Sequence, residues 1–253
     1  MAPTDNPDAA QNSAPIPAGA DDELILLLVR HGETASNAQG RIQGHRDVPL
    51  SDVGRDQAMR LARRLALVWD ADSAAVFPVL RPCAIFTSDL SRAAETARIL
   101  AQGVPALRSL PFVETSLLRE RGFGEWEGQT NAEIRARYGN GLPLWTTPQN
   151  PPGSETWTDV GLRMGQAFLH ICSRLPADEK TASGPQVRAA MVVGHGGSLR
   201  MFLARALGLG PEAAYAFRLG NTSLSAALFL GPDATQSKGR IILVNDTAHL
   251  ENG

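Results

Sequence analysis

Leu24-Ile25-Leu26-Leu27-Leu28-Val29-Arg30-His31-Gly32-Glu33-Thr34 is the stretch whose reading decides the fold. Six apolar residues in a row, with no alternation, fit a strand buried on both faces, as in a parallel sheet. The run is far too short to cross a bilayer. It stops on a cation, a histidine and a glycine, and glycine permits close approach of backbone to a ligand.

The same pattern occurs twice more. Cys83-Ala84-Ile85-Phe86-Thr87-Ser88 leads into Asp89 and an Ala-rich amphipathic stretch that runs to Leu100. Ala189-Ala190-Met191-Val192-Val193 leads into Gly194-His195-Gly196-Gly197-Ser198 and a helix to about Leu207. Apolar runs alternating with helices predict an α/β fold: a three-layer α/β/α sandwich around a mainly parallel central sheet. Ser51 to about Val68 reads as a helix capped by Ser51 or Asp52. Residues 131–138 read as a short helix and 157–175 as a longer one. Residues 223–230 and 240–244 read as late strands, the last at an edge.

The remaining segments frame one domain over residues 23–253. Residues 142–154 carry four prolines and are expected to be loop. The stretch 142–156 is taken as a loop or cap insertion on the substrate side, because the helix after it is too small for a separate core. Residues 1–22 are rich in Ala, Pro, Asn and Asp, with no basic start or apolar stretch. They read as a disordered tail and not a signal peptide.

Composition removes several classes of function. A formal net charge of -2 gives no global basic field, so neither nucleic acid nor an acidic membrane is an expected partner. Two cysteines, Cys83 and Cys172, outside any C-x-x-C spacing, make no disulfide framework, and a cytoplasmic location is expected. The five histidines show no H-x-x-x-H spacing, so no metal site is expected.

The chemistry collects at strand ends. Ligands of open parallel sheets bind beyond the carboxyl ends of the strands. His31 and His195 each follow a predicted strand directly, so both belong on that edge. Arg92 falls in the first turn of a predicted helix, where the macrodipole disfavours a cation. An anion between the helix N-terminus and Arg92 would remove the conflict. Arg30, beside His31, offers a second guanidinium fork suited to phosphate oxygens. Imidazole is a recognised covalent catalyst, so cations around a histidine favour phosphate over carboxylate. A carboxyl group near Phe123 and Trp126 would be desolvated and suited to general-acid work. Glu120, Glu125 and Glu127 are equally eligible on composition.

Taken together these residues resemble branch 1 of the histidine phosphatase superfamily, which holds cofactor-dependent phosphoglycerate mutase and many small phosphatases. The likeness rests on five ordered blocks. The first is Leu28-Val29-Arg30-His31-Gly32-Glu33-Thr34, with Asn37 and Gly40-Arg41-Ile42-Gln43-Gly44. The second runs from Asp47-Val48-Pro49-Leu50-Ser51 through Gly54 to Gln57-Ala58. The third is Thr87-Ser88-Asp89-Leu90-Ser91-Arg92-Ala93-Ala94-Glu95-Thr96-Ala97. Residues 118–128 and Val193-Gly194-His195-Gly196-Gly197 complete the set.

The resemblance implies a phosphoglycerate mutase-like fold and roles by position. His31 is phosphorylated and then dephosphorylated. Arg30, Arg92 and His195 hold the phosphoryl oxygens, with Asn37, Gln43 and Gly196 as further phosphate contacts. The family pattern selects Glu120 over Glu125 and Glu127 as proton donor. No metal and no cofactor are implied. A backbone carbonyl is expected on the second ring nitrogen of His31. The family's Gly-Glu-Ser before its long third-layer helix is replaced here by Gly153-Ser154-Glu155, so no role carries over to Glu155.

The reaction expected is hydrolysis of a small phosphorylated metabolite through phosphohistidine, by a monomer or homodimer. Cofactor-dependent phosphoglycerate mutase is the nearest alternative. It needs a closed basic pocket that excludes water, and no basic insert follows Glu120. A non-catalytic phospholigand-binding protein is the alternative from another class.

Overall fold

The structure, a computed structural model, describes residues 23–70, 81–138, 150–175, 187–230 and 239–251. The predicted tail and the first part of the Pro-rich insertion lie outside the described residues.

Six strands form one sheet in the order β3-β2-β4-β1-β5-β6. They are β1 (Glu23–Arg30), β2 (Ile85–Ser88), β3 (Phe112–Thr115), β4 (Val187–Gly194), β5 (Leu224–Leu230) and β6 (Arg240–Asp246). β3–β2, β2–β4 and β4–β1 pair in parallel. β5 pairs antiparallel with both β1 and β6, so it alone runs against the other five. The predicted mainly parallel sheet is what is found, with β6 at an edge.

The unbroken apolar run explains why β1 is central. Leu24, Leu26 and Leu28 face one core cluster, and Ile25, Leu27 and Val29 face the other. The first cluster is supplied by α5 (Trp157–Arg174) and α6 (Gly196–Ala206), through Val160, Met164, Phe168, Leu199 and Phe202. The second is supplied by α2 (Asp52–Asp70) and α3 (Ser91–Gly103), through Leu61, Leu65, Ala93, Ala97 and Leu100. Each large aliphatic side chain buried this way contributes roughly 1.5–3 kcal/mol. Strand on two faces, helices on both: the predicted three layers.

Local signals set the helix starts. Ser51 Oγ accepts from Gly54 N–H at 3.1 Å, which makes Ser51 the cap of α2. Thr156 and Asp159 form a reciprocal capping box at the start of α5, with bonds of 2.9 and 3.0 Å. Two short helices, α1 (Ala35–Ala38) and α4 (Asn131–Tyr138), lie outside the layers. Ile134 of α4 joins Ile42, Phe123 and Trp126 in a small separate cluster that braces one rim of the site.

Two sequence expectations change. β3 was not expected: it is four residues long, at the edge and only half-buried, so it carries no apolar run. The described end of the Pro-rich segment is not a free cap. Glu125 N–H donates to Pro152 O at 3.2 Å, Glu155 N–H to Gly122 O at 2.9 Å, and Ser154 bridges to Phe123. Residues 150–156 are therefore a brace against residues 122–125.

Candidate active site

Strand register brings the two histidines together. Arg30 lies opposite Gly194 in the β1–β4 pair, so His31 and His195 leave the sheet side by side at its carboxyl edge. His31 N–H donates to Gly194 O at 2.9 Å, and the imidazole centroids are 5.1 Å apart.

His31 is buried, and its Nδ1 lies 2.7 Å from Gly32 O. A carbonyl can only accept, so Nδ1 carries the hydrogen and Nε2 of the neutral ring keeps its lone pair. Burial, then the charges of Arg92 and Arg30, hold the His31 pKa well below the ordinary histidine value. The expected carbonyl partner is thus its own neighbour's.

Three cationic or potentially cationic side chains stand near the His31 ring: Arg92 and Arg30 act on it electrostatically, and the His195 ring lies beside it. Arg30 donates Nη1 to Leu219 O at 2.6 Å, and its buried Nε has no partner. Burial brings the Arg30 pKa down to about 10. Arg92 is 1% exposed and reaches back from the first turn of α3. Its Nη1 donates to Arg46 O and its Nη2 to Gly44 O, each at 2.8 Å, while its Nε is free. The dipole conflict predicted for Arg92 is relieved in part by these two carbonyls. His195 is fully buried and neither ring nitrogen has a partner. Burial first, then Arg92, His31 and Arg30, hold its pKa well below the ordinary value. An anion alongside it would favour its protonated form.

The amides complete the wall. Asn37 Oδ1 accepts from Thr34 N–H at 3.2 Å and from Asn221 Nδ2 at 3.3 Å. Gln43 Oε1 accepts from Thr34 Oγ1 at 2.9 Å. Both residues line the cleft. Gly196 lies against Arg30, where an added Cβ would stand 3.6 Å from Nε.

Glu120 approaches from the other side. Its Oε2 accepts from Gly197 N–H at 2.9 Å, and its Oε1 from Ser198 N–H at 3.2 Å and Arg121 N–H at 2.9 Å. The carboxylate sits on the N-terminus of α6, where the macrodipole favours negative charge. Arg30, His31, Asn37, Gln43, Arg92 and Glu120 share one cleft of about 240 Å³ with Phe123. A second cleft of similar volume between α5 and α6, walled by Leu162, Met164, Met201 and Pro211, holds no such chemistry.

The other two carboxylates are elsewhere. Glu127 accepts from His45 N–H at 2.9 Å and Phe123 N–H at 3.0 Å, a brace for two turns. Glu125 meets Tyr138 Oη at 3.5 Å. Phe123 reaches the cleft, whereas Trp126 packs into the cluster with Ile42 and Ile134.

Sequence reasoning missed Asn221 and Thr222. Asn221 Nδ2 donates to His31 O at 3.0 Å, and Thr222 N–H to Arg30 O at 3.0 Å. Thr222 does this at φ 53, a left-handed conformation rare outside glycine. It also missed Glu155, Arg163 and His45, which meet behind Glu120. The transposed Gly153-Ser154-Glu155 was the available signal.

Among the described residues, no three His, Cys, Asp or Glu side chains gather to hold a metal ion. No described helix is long and apolar enough to cross a membrane.

Known proteins bear on this arrangement. A family model described as histidine phosphatase superfamily (branch 1) matches residues 26–245. A curated Yersinia enterocolitica protein, "Probable phosphoglycerate mutase GpmB", is 33% identical over 231 residues, covering 90% of this chain and 95% of its own. A solved mycobacterial glucosyl-3-phosphoglycerate phosphatase is 28% identical, with a TM-score of 0.72 over 88% of this chain and 99% of that one. Bacillus stearothermophilus YhfR is 29% identical, with a TM-score of 0.67 over 90% of this chain and 100% of that one.

Proposed function

The chain belongs to branch 1 of the histidine phosphatase superfamily and is an enzyme that hydrolyses phosphate esters. From that premise we propose that it acts on a small phosphorylated metabolite, without a metal ion, through phosphate carried on His31.

The observation that carries this reading is the His31 Nδ1–Gly32 O bond of 2.7 Å. It leaves Nε2 of the neutral ring with its lone pair, in a cleft lined by Arg30, Arg92 and Glu120, with His195 beside it. In the first half-reaction Nε2 bonds to phosphorus and the P–O ester bond breaks. The proton on the Glu120 carboxyl goes to the leaving oxygen. In the second, Glu120 takes a proton from water as its oxygen bonds to phosphorus, the P–N bond breaks, and inorganic phosphate leaves. Arg30 and Arg92 neutralise the equatorial oxygens, and His195 becomes charged as the phosphoryl group enters. Positioning and charge stabilisation are what phosphoryl transfer demands most.

Phosphoglycerate mutation is the second reading, because the curated relative carries that name. A mutase must keep its phosphoenzyme from water in a basic, closed pocket. The outermost cation of this cleft, Arg41, is engaged by Glu133 at 3.0 Å and by Gly128 O at 2.8 Å. That favours hydrolysis.

The test is phosphate release from sugar and aryl phosphates in excess chelator, with acid-labile, base-stable phosphate trapped on His31 during turnover. Exchange between 2- and 3-phosphoglycerate that depends on 2,3-bisphosphoglycerate and outruns phosphate release would overturn hydrolysis. Ligand affinity with no turnover would favour the binding-protein reading.

A further inference from the structure

Glu120 is held at two ends. Its carboxylate rests on the N-terminus of α6, and its backbone is gripped by side chains outside the cleft. Arg163, from α5, donates Nη1 to Leu117 O at 3.0 Å and Arg119 O at 2.8 Å, and Nη2 to Glu120 O at 3.1 Å. The same guanidinium forks onto Glu155, Nε to Oε1 at 2.9 Å and Nη2 to Oε2 at 2.8 Å. Glu155 Oε2 also accepts from Gly122 N–H at 2.8 Å. His45 Nε2 donates to Glu120 O at 2.8 Å and lies 3.5 Å from Glu155 Oε2.

We infer that Arg163, Glu155 and His45 form a positioning set that aims the Glu120 carboxyl at the leaving oxygen, resting on the reading of Glu120 as the proton donor. Every bond just described falls on residues 117–122 or within the set itself. None reaches His31, Arg30 or His195. The set therefore controls one catalytic group and leaves the phosphate clamp to others. Its charge is secure. Burial works against the Glu155 carboxylate, but bonds from His45, Arg163 and Gly122 N–H outweigh it and bring its pKa down to about 2. Arg163 must be arginine, because a lysine ammonium cannot fork onto a carboxylate and span three carbonyls from one plane. A displacement of about 1 Å in a catalytic group can cost about 100-fold.

A general acid matters in proportion to how poor the leaving group is. Phosphoenzyme formation should therefore be measured in single turnovers with two substrates, glycerol phosphate and p-nitrophenyl phosphate. Arg163→Lys and Glu155→Gln should each slow transfer from glycerol phosphate by about 30-fold or more. Transfer from p-nitrophenyl phosphate should slow by less than about threefold, because its phenolate departs without a proton. Inhibition by inorganic phosphate should be unchanged. Glu120→Gln provides the reference for a lost acid, with selective loss on glycerol phosphate. If Glu120→Gln shows that selectivity and the other two variants slow both substrates equally, or neither, the positioning set is wrong and Glu120 remains the acid. If Glu120→Gln shows no selectivity, the reading of Glu120 fails first. Two milder variants guard against a folding defect, and their melting temperatures report one directly.

Discussion

The turns that follow β1 and β4 are built alike and finished differently. Each carries a buried histidine beside glycine at the carboxyl end of a central parallel strand. Their imidazoles are 5.1 Å apart. After β1, the His31 ring is pinned by Gly32 O and the helix that follows is only four residues long. After β4, the His195 ring has no partner, and the helix that follows is eleven residues long with its N-terminus given to Glu120. A nucleophile needs one defined tautomer, whereas a clamp needs a nitrogen free to change its proton. The difference in hydrogen bonding supports the proposed roles of His31 as nucleophile and His195 as clamp.

The most forceful way to break that assignment is to remove each ring. His31→Ala should lower kcat on an aryl phosphate by about 10⁴-fold or more, because no covalent step remains. His195→Ala should cost about 10²–10³-fold, the usual effect of losing one charge-stabilising donor. Equal losses, or phosphate trapped on residue 195, would reverse the roles.

The glycines beside the rings give a gentler comparison. A Cβ on Gly32 would stand 2.4 Å from Gly54 O, a backbone atom of the α2 start that cannot swing aside. A Cβ on Gly196 would meet nothing nearer than Arg30 Nε at 3.6 Å. Gly32→Ala should destabilise by about 1–3 kcal/mol in denaturant melts. Gly196→Ala should stay within about 0.5 kcal/mol. A tolerated Gly32→Ala would mean that the first turn is less tightly built than its twin.

A further comparison is of stability against pH. Folded His31 and His195 titrate below the ordinary histidine value, and His249, partly desolvated and near Arg64, is pushed down to about 4. The unfolded chain takes up these protons near pH 6.5 and the folded chain does not. Stability is therefore fully present above about pH 6.5 and falls as the pH is lowered below it. Saturating inorganic phosphate should flatten this slope by favouring charged His195, and His195→Asn should abolish the flattening. A stability that stays level from about pH 6.5 to 5 would remove the burial argument for both rings.

Much of this was legible because apolar runs and strand-end residues are local. The run at residues 24–29 reported burial on both faces, hence the parallel sheet and the edge on which His31 and His195 stand. Arg92 was recognisable as out of place in a helix start, but not the carbonyls of Gly44 and Arg46 that hold it, since they lie 48 and 46 residues earlier in the chain. β3 was invisible because a short, half-exposed edge strand needs no apolar pattern. Asn221 and Thr222 reach His31 across most of the chain and carry no local signal. Glu155 was set aside because the order of its neighbours departs from the family's habit, yet its carboxylate still meets Arg163 and Gly122. Order within a motif is weaker evidence than the partners a fold supplies.

The central place of β1 has a consequence for how the molecule comes into being. β1 leaves the ribosome first, yet its neighbours are β4 and β5, which exist only once synthesis has passed Val187 and Leu224. Its most apolar segment must wait unpaired through the making of most of the protein, the situation in which long-range pairing is slow and sticky intermediates form. The loop that anchors His31 from behind, at Asn221 and Thr222, also arrives late. Nascent chains that stop short of it would lack the donors that Asn221 and Thr222 supply to the His31 and Arg30 carbonyls.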